Sequence, residues 1–172
     1  YRFRFPDNTY FNYGGTLEDT LGEIERISPE DREGYLALVA ESKRIFAVGF
    51  EQLADQPFDR VGTMVALLPR LVQLGGYRTV WQFVTRHIRH PWLQRAFSVS
   101  PLLVGGNPFD TTSIYSLIHY LERKWGIQFA MGGTGALVAA LATLMDEVKI
   151  KVRLNTTVAK VIVERGAAVG VQ

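Results

Sequence analysis

Apolar and polar residues alternate at the start of the chain. YRFRFPDNTYFNYGG puts Tyr1, Phe3 and Phe5 on one side of an extended segment, turns at Pro-Asp-Asn, and returns as Tyr10-Phe11-Asn12-Tyr13. A period of two on either side of turn residues predicts a β-hairpin. From residue 17 the period changes, and LEDTLGEIERI reads as a short helix. In SPEDREGYLALVAESKRIFAVGFEQL, Ser28 can cap, Pro29 suits the first helical position, and Glu30 and Asp31 favour the positive end of the dipole. Tyr35, Leu38, Val39, Ile45, Phe46 and Leu53 then recur at helical spacing. Pro57 to Phe97 predicts two or three more helices, with Pro69, Gly75-Gly76 and Pro91 as breaks or kinks. In YRTVWQFVTRHIRHPW a stripe of Tyr77, Trp81, Val84 and Ile88 leaves Arg78, Gln82, Thr85, Arg86 and Arg89 on the other side.

PLLVGGNPFDTT reads as a loop in which Asp110 or Thr111 can cap the helix TSIYSLIHYLERKW, with Gly126 at its end. GALVAALATLM is apolar around most of its circumference, which predicts a buried helix. KIKVRLN, TVAKVIVE and AAVGVQ read as three short β-branched strands. The fold class is α+β, a helical layer with short antiparallel strands.

Charge changes this picture. The net charge is only +2. Yet residues 18–55 hold ten of the seventeen acids with four Lys or Arg, and residues 60–109 hold six arginines (Arg60, Arg70, Arg78, Arg86, Arg89, Arg95) and no acid. Such asymmetry speaks of partners. Arginines interleaved with Tyr77, Trp81, Phe83, Trp92 and Phe97 suit a nucleic acid or a lipid headgroup layer. No nucleic-acid module is present, so no nucleic acid is expected, and an anionic membrane surface fits an amphipathic helix carrying Trp better. An ordinary helix with a basic solvent face is the alternative. The chain has no cysteine, which excludes disulfides and thiolate metal sites. It begins at Tyr1 in one apparent strand and stops at Gln172 in another, and it reads as a fragment.

Few residues announce chemistry. FAMGGTGALVAALATLMDE has glycines ahead of a helix, as a phosphate cradle does. It lacks the third glycine of a dinucleotide fingerprint and the Gly-Lys-Ser/Thr of a Walker loop, so a tight turn into a helix is the plainer reading. His87 and His90 are spaced for a metal but flanked by Arg86 and Arg89, and no metal is expected. Ser98 and Ser100 have no fixed base beside them in the sequence, and there is no G-x-S-x-G elbow.

The stretch SVSPLLVGGNPFDTTSIYSLIHYLERKWGIQFAMGGTGAL resembles the bacterial phytoene desaturases, FAD-dependent carotenoid desaturases. The likeness runs along the whole chain. It is densest at Leu102–Phe109, Ile114–Ile118, Leu121–Gly126 and Gly132-Gly133-Thr134. It implies a fragment of a two-domain FAD-dependent oxidoreductase: a substrate-domain hairpin (1–17), a helical lid and membrane-facing region (18–98), more substrate domain (99–130) and a partial return into the FAD-binding domain (131–172).

The implied reaction removes hydrogen across a C–C bond of phytoene or a related carotene, with hydride passing to flavin N5. The chain would hold substrate through Phe97, Leu102, Leu103, Asn107, Phe109, Tyr115 and Phe129. It would meet the membrane through Trp81, Arg86, Arg89 and Trp92, and touch the FAD adenine at Val158, without cradling phosphate at Gly132-Gly133. The protein would be cytoplasmic, peripheral on the inner membrane, and the fragment inactive alone. Two departures weaken any assignment of catalytic acids or bases: Ala130-Met131 stand where relatives often have a Pro and a basic residue, and Thr63 and Ala66 where some have an Asp and an Arg after Pro57-Phe58. The competing functions are a non-enzymatic apolar-ligand or membrane-binding module and a flavin enzyme of the amine oxidase type.

Overall fold

Thr16 starts the first helix: its hydroxyl accepts from the Asp19 N–H while the Asp19 carboxylate accepts from the Thr16 N–H. This reciprocal box satisfies two donors that a helix start otherwise leaves free. Helix α1 runs Leu17–Ile27, as the pattern predicts. The computed structural model describes residues 1–53, 55 and 61–172, the side chain of Met64 aside. Arg60 and the Pro57-Phe58 match lie outside the described residues. The chain divides into a unit Tyr1–Ile127 and a unit Gln128–Gln172.

In the first unit, strands β1 (Arg2–Arg4) and β2 (Tyr10–Asn12) pair antiparallel with Phe3 opposite Phe11. A 3-10 turn, Pro29–Asp31, leads into α2 (Arg32–Phe46), which continues as a π-helical stretch over Ala47–Gln52. Ser28 does not cap with its side chain, contrary to expectation, and Asp31, at the start of α2, makes no side-chain cap either. Asp31 is buried, and its carboxylate accepts from the backbone N–H groups of Arg89 and His90 at 2.7 and 2.8 Å. The same helix comes so close to the end of the next-but-one that a Cβ on Gly34 would run into the backbone carbonyl of His87. Only glycine fits that crossing.

Helices α3 (Val61–Gln73), α4 (Val80–His87) and α5 (Pro91–Phe97) follow. Pro69 is accommodated inside α3 and does not end it. The predicted stripe on α4 is shifted. Thr79 and Gln82 form a capping box, so the helix starts at Val80 and Tyr77 lies outside it, exposed. The buried side is Val80, Phe83, Val84 and Ile88. A 3-10 turn over Ser100–Val104, a second over Ser113–Ser116 capped by Thr112, and α6 (Leu117–Trp125) complete the unit. Phe11, Tyr35, Leu38, Ile45, Phe83, Leu93 and Phe97 form a core that includes the hairpin, α2, α4 and α5.

The second unit holds α7 (Gly133–Glu147) and one antiparallel hairpin, β3 (Val161–Glu164) with β4 (Ala167–Val171). Two expectations fail here. KIKVRLN forms no strand, since Lys149 and Asn155 take left-handed backbone angles near its two ends. Helix α7 has no buried residue. Apolar composition sets a tendency to be covered but does not supply the covering surface, and the unit's hairpin, itself exposed, does not provide it.

Candidate functional site

Two apolar hollows lie among the described residues of the first unit. The first, about 340 Å³, opens between the hairpin, the Ser100–Val104 turn and α6. Its exposed edge joins Leu102 and Leu103 to Tyr1 and Arg2, and Phe3, Ala96 and Val99 add apolar wall. Its deep end is polar, formed by Tyr13, Ser100, His119 and Glu122. Helical spacing puts His119 and Glu122 on one face of α6. The Tyr13 hydroxyl donates to Glu122 Oε2 at 2.6 Å and stands 3.4 Å from His119 Nδ1. Arg123 lies over the Tyr13 ring at 4.9 Å and donates to Thr20 Oγ1 at 2.7 Å and to the Thr16 carbonyl at 3.1 Å. That ties α6 to the start of α1.

Burial dominates the electrostatics of this end. It lowers the His119 imidazole to about 4, so the ring is neutral at neutral pH. It pushes the Glu122 carboxyl above its usual range, against the hydrogen bond from Tyr13 and the nearby Arg123 charge. It also raises the Tyr13 phenol. Ser100 Oγ is buried without a hydrogen-bond partner, and His119 Nε2 makes no well-formed hydrogen bond, although the ring lies near enough to the Phe97 backbone to feel it. Ser100 therefore does share a cavity with an imidazole, which its sequence neighbourhood gave no sign of.

The second hollow, about 650 Å³, is a groove walled by Leu53, Leu67, Leu71, Ile114 and Tyr115 beside Gly49 and Gly76. The Thr112 hydroxyl at its edge is already used, donating to the Gly76 carbonyl at 2.6 Å. A Cβ on Gly76 would press on the Leu71 carbonyl and on Ile114, so glycine keeps these walls close.

The residues predicted to hold substrate do not all meet. Leu102 and Leu103 rim the first hollow, and Tyr115 lines the second. Phe97 is a core residue, stacked on Tyr35 at 4.9 Å and edge-on to Phe11 at 5.4 Å. Asn107 builds its own turn, donating to Asp110 and accepting from the Phe109 N–H. Phe109 packs on Trp81. Phe129 and Val158 are exposed in the second unit. Tyr13, His119 and Glu122 were not singled out as site residues, and Ser100 was set aside for want of a base. The one signal for them was the i, i+3 spacing of His119 and Glu122.

The residues predicted to face a membrane are partly occupied within the chain. Trp92 stacks on Phe5 at 4.9 Å, donates its indole N–H to Asp7 at 2.9 Å and lies under the Arg95 guanidinium. Glu41 on α2 sits 3.7 Å from Arg86, 4.0 Å from Arg78 and 3.0 Å from His87 Nε2. The acidic and basic stretches thus meet each other at this point. Arg89 uses its backbone on Asp31 and leaves its side chain exposed. Val61, Val65, Leu68 and Val72 make a solvent-facing apolar stripe on α3. No described helix is long and apolar enough to cross a membrane.

Residues 2–172 match the family model described as flavin containing amine oxidoreductase. The chain is 37% identical to a phytoene desaturase (lycopene-forming) of Paracoccus sp. (strain N81106 / MBIC 01143), over 99% of this chain and 34% of that protein. It is 39% identical to one of Pantoea ananas, over 92% of this chain and 32% of the relative. With a phytoene desaturase (neurosporene-forming) of Cereibacter sphaeroides it shares 32% identity, over all of this chain and 33% of the relative. The chain therefore spans about a third of the length of these relatives.

Proposed function

The chain belongs to the flavin containing amine oxidoreductase family, and on that premise we propose that it is the substrate-holding part of an FAD-dependent desaturase that dehydrogenates C–C bonds of phytoene or a related carotene. The groove of about 650 Å³ walled by Leu53, Leu67, Leu71 and Ile114 is the observation that carries this reading. A hydrocarbon offers no hydrogen-bonding handle, so its retention rests on apolar area removed from water, at roughly 25 cal/mol per Å². A pure hydrocarbon fits this groove better than the polar-ended hollow beside it.

The family carries a flavin. The described residues do not by themselves make a site for it. Val158 is exposed with no surrounding cradle in its unit, and the Gly133 N–H, at the start of α7, is spent on the Ala130 carbonyl. No chemical step is therefore assigned to residues of this chain. The test is a chimera in which these 172 residues replace the matching third of the Paracoccus relative. Supplied with phytoene in vesicles, it should form products with longer conjugated chromophores, and Leu67→Asp with Leu71→Asp in the groove should abolish them. A chimera that folds and holds flavin but leaves phytoene unchanged would end the reading.

The same reading places the protein peripherally on the cytoplasmic face of the inner membrane. The apolar stripe on α3 and the exposed Arg70, Arg86 and Arg89 support it. Anionic vesicles should bind the chain, and raising salt from about 0.05 to 0.5 M should weaken binding, because the Debye length shortens severalfold. Equal, salt-insensitive partition onto neutral vesicles would remove the charge argument.

A further inference from the structure

A hydrocarbon cannot satisfy the deep end of the smaller hollow. His119 is 2% exposed with no well-formed hydrogen bond at Nε2, where the Phe97 backbone is at most a weak partner, Ser100 is 4% exposed with Oγ unpartnered, and both line the same space of about 340 Å³. Buried polar atoms are nearly always hydrogen-bonded, so two together at the buried end of a largely apolar cavity mark a place where a polar partner belongs. The volume sits at the small end of ligand sites, enough for a compact end group but too small for a whole polyene.

We propose that this hollow is an end-group pocket for an oxygen-bearing isoprenoid. Its apolar part would lie against Leu102, Leu103 and Phe3, and a neutral hydroxyl or carbonyl would reach His119 and Ser100. The neutral imidazole offers one ring nitrogen as donor or acceptor according to its tautomer, and the serine hydroxyl can do either. An anionic head is disfavoured at the deep end by the Glu122 carboxyl, which already accepts from Tyr13. Arg123, its helix neighbour, does not line the hollow: its Nη1 is used on Thr16 and Thr20, and its buried Nε and Nη2 lie behind the Tyr13 ring. Two cations line the hollow: Arg2, engaged with Asn12 Oδ1 on the exposed hairpin, and the Tyr1 ammonium, which donates to the Tyr13 carbonyl at 2.6 Å. A carboxylate would be held there, near the opening.

Four ten-carbon isoprenoids differing at one end separate the cases: myrcene (hydrocarbon), geraniol (alcohol), geranial (aldehyde) and geranic acid. Binding to the 172-residue chain is followed by NMR shifts of its three histidine rings, assigned with His119→Phe. Geraniol and geranial should bind at least about tenfold tighter than myrcene, as a site built around unpaired polar groups rejects the analogue lacking the oxygen. They should move the His119 ring. In His119→Phe that preference should fall to near unity while myrcene binding is kept, and Leu103→Trp at the rim should block all four. Equal binding of myrcene and geraniol to the native chain overturns the proposal, even if neither variant folds. So does tightest binding by geranic acid that depends on Arg2. The proposal goes beyond the hydrocarbon reading and fails separately from it, since the chimera tests the larger groove.

Discussion

Replacing Asp31 with alanine should destabilise the first unit by about 4 kcal/mol, because two charge-assisted hydrogen bonds of about 1.5–3 kcal/mol each are lost at a buried point. The carboxylate is 1% exposed and takes the Arg89 N–H on one oxygen and the His90 N–H on the other. Those donors sit where α4 has ended at His87 and α5 is about to begin at Pro91, so neither has a helical acceptor in reach. Alanine would leave both unpaired and loosen the α4–α5 corner from the start of α2. Asp31→Asn, which keeps one good acceptor, should cost roughly half as much. Trp81, Trp92 and Trp125 all lie in the first unit, so urea unfolding followed by tryptophan fluorescence reads that unit alone. A loss under about 1 kcal/mol would mean that water satisfies the two N–H groups and that the clamp holds nothing.

Asp31 also shows where reading the sequence stops. Its place near a helix start was legible, and the dipole gave it a role. Its actual partners are 58 and 59 residues away, and nothing local points to them. Local signals that need no distant partner were read well: the boundaries of α1, the glycine that ends α6 and the turn between β1 and β2. On α4 the sequence stripe began too early because the Thr79–Gln82 box, not the apolar spacing, decides where the helix starts. Helix α7 and the lost strand 149–155 failed for a different reason, since burial and pairing need a second surface that composition does not reveal. The larger hollow was visible only as scattered Leu and Ile positions. The polar end of the smaller one joins residues 13, 100, 119 and 122, and only the last two are close enough in sequence to be seen as a pair.

That polar end carries the second large effect. Below pH 6.5 the first unit should lose stability through His119, by up to about 3 kcal/mol by pH 4, since each tenfold difference in proton affinity between the folded and unfolded chain is worth about 1.4 kcal/mol. The folded imidazole titrates near 4 and the unfolded one near 6.5, so between these values the unfolded chain binds the proton and the folded chain does not. The contribution is complete above 6.5 and is lost as pH falls through the folded value. Glu122 works the other way: its folded carboxyl titrates above the ordinary 4.5, so its contribution is present in acid and is lost as pH rises through the raised value. The two partly offset each other above pH 4.5, and the native profile alone cannot separate them. His119→Gln removes the titrating ring and leaves Glu122 in place. Its stability curve should run flatter than the native one from pH 6.5 to 4, with the difference approaching about 3 kcal/mol. In the native chain the His119 ring resonances should hardly move down to pH 5. Parallel curves for the native chain and the variant would show that the ring takes up its proton in the fold as easily as in water, and the closed, neutral end of the hollow would have to be given up.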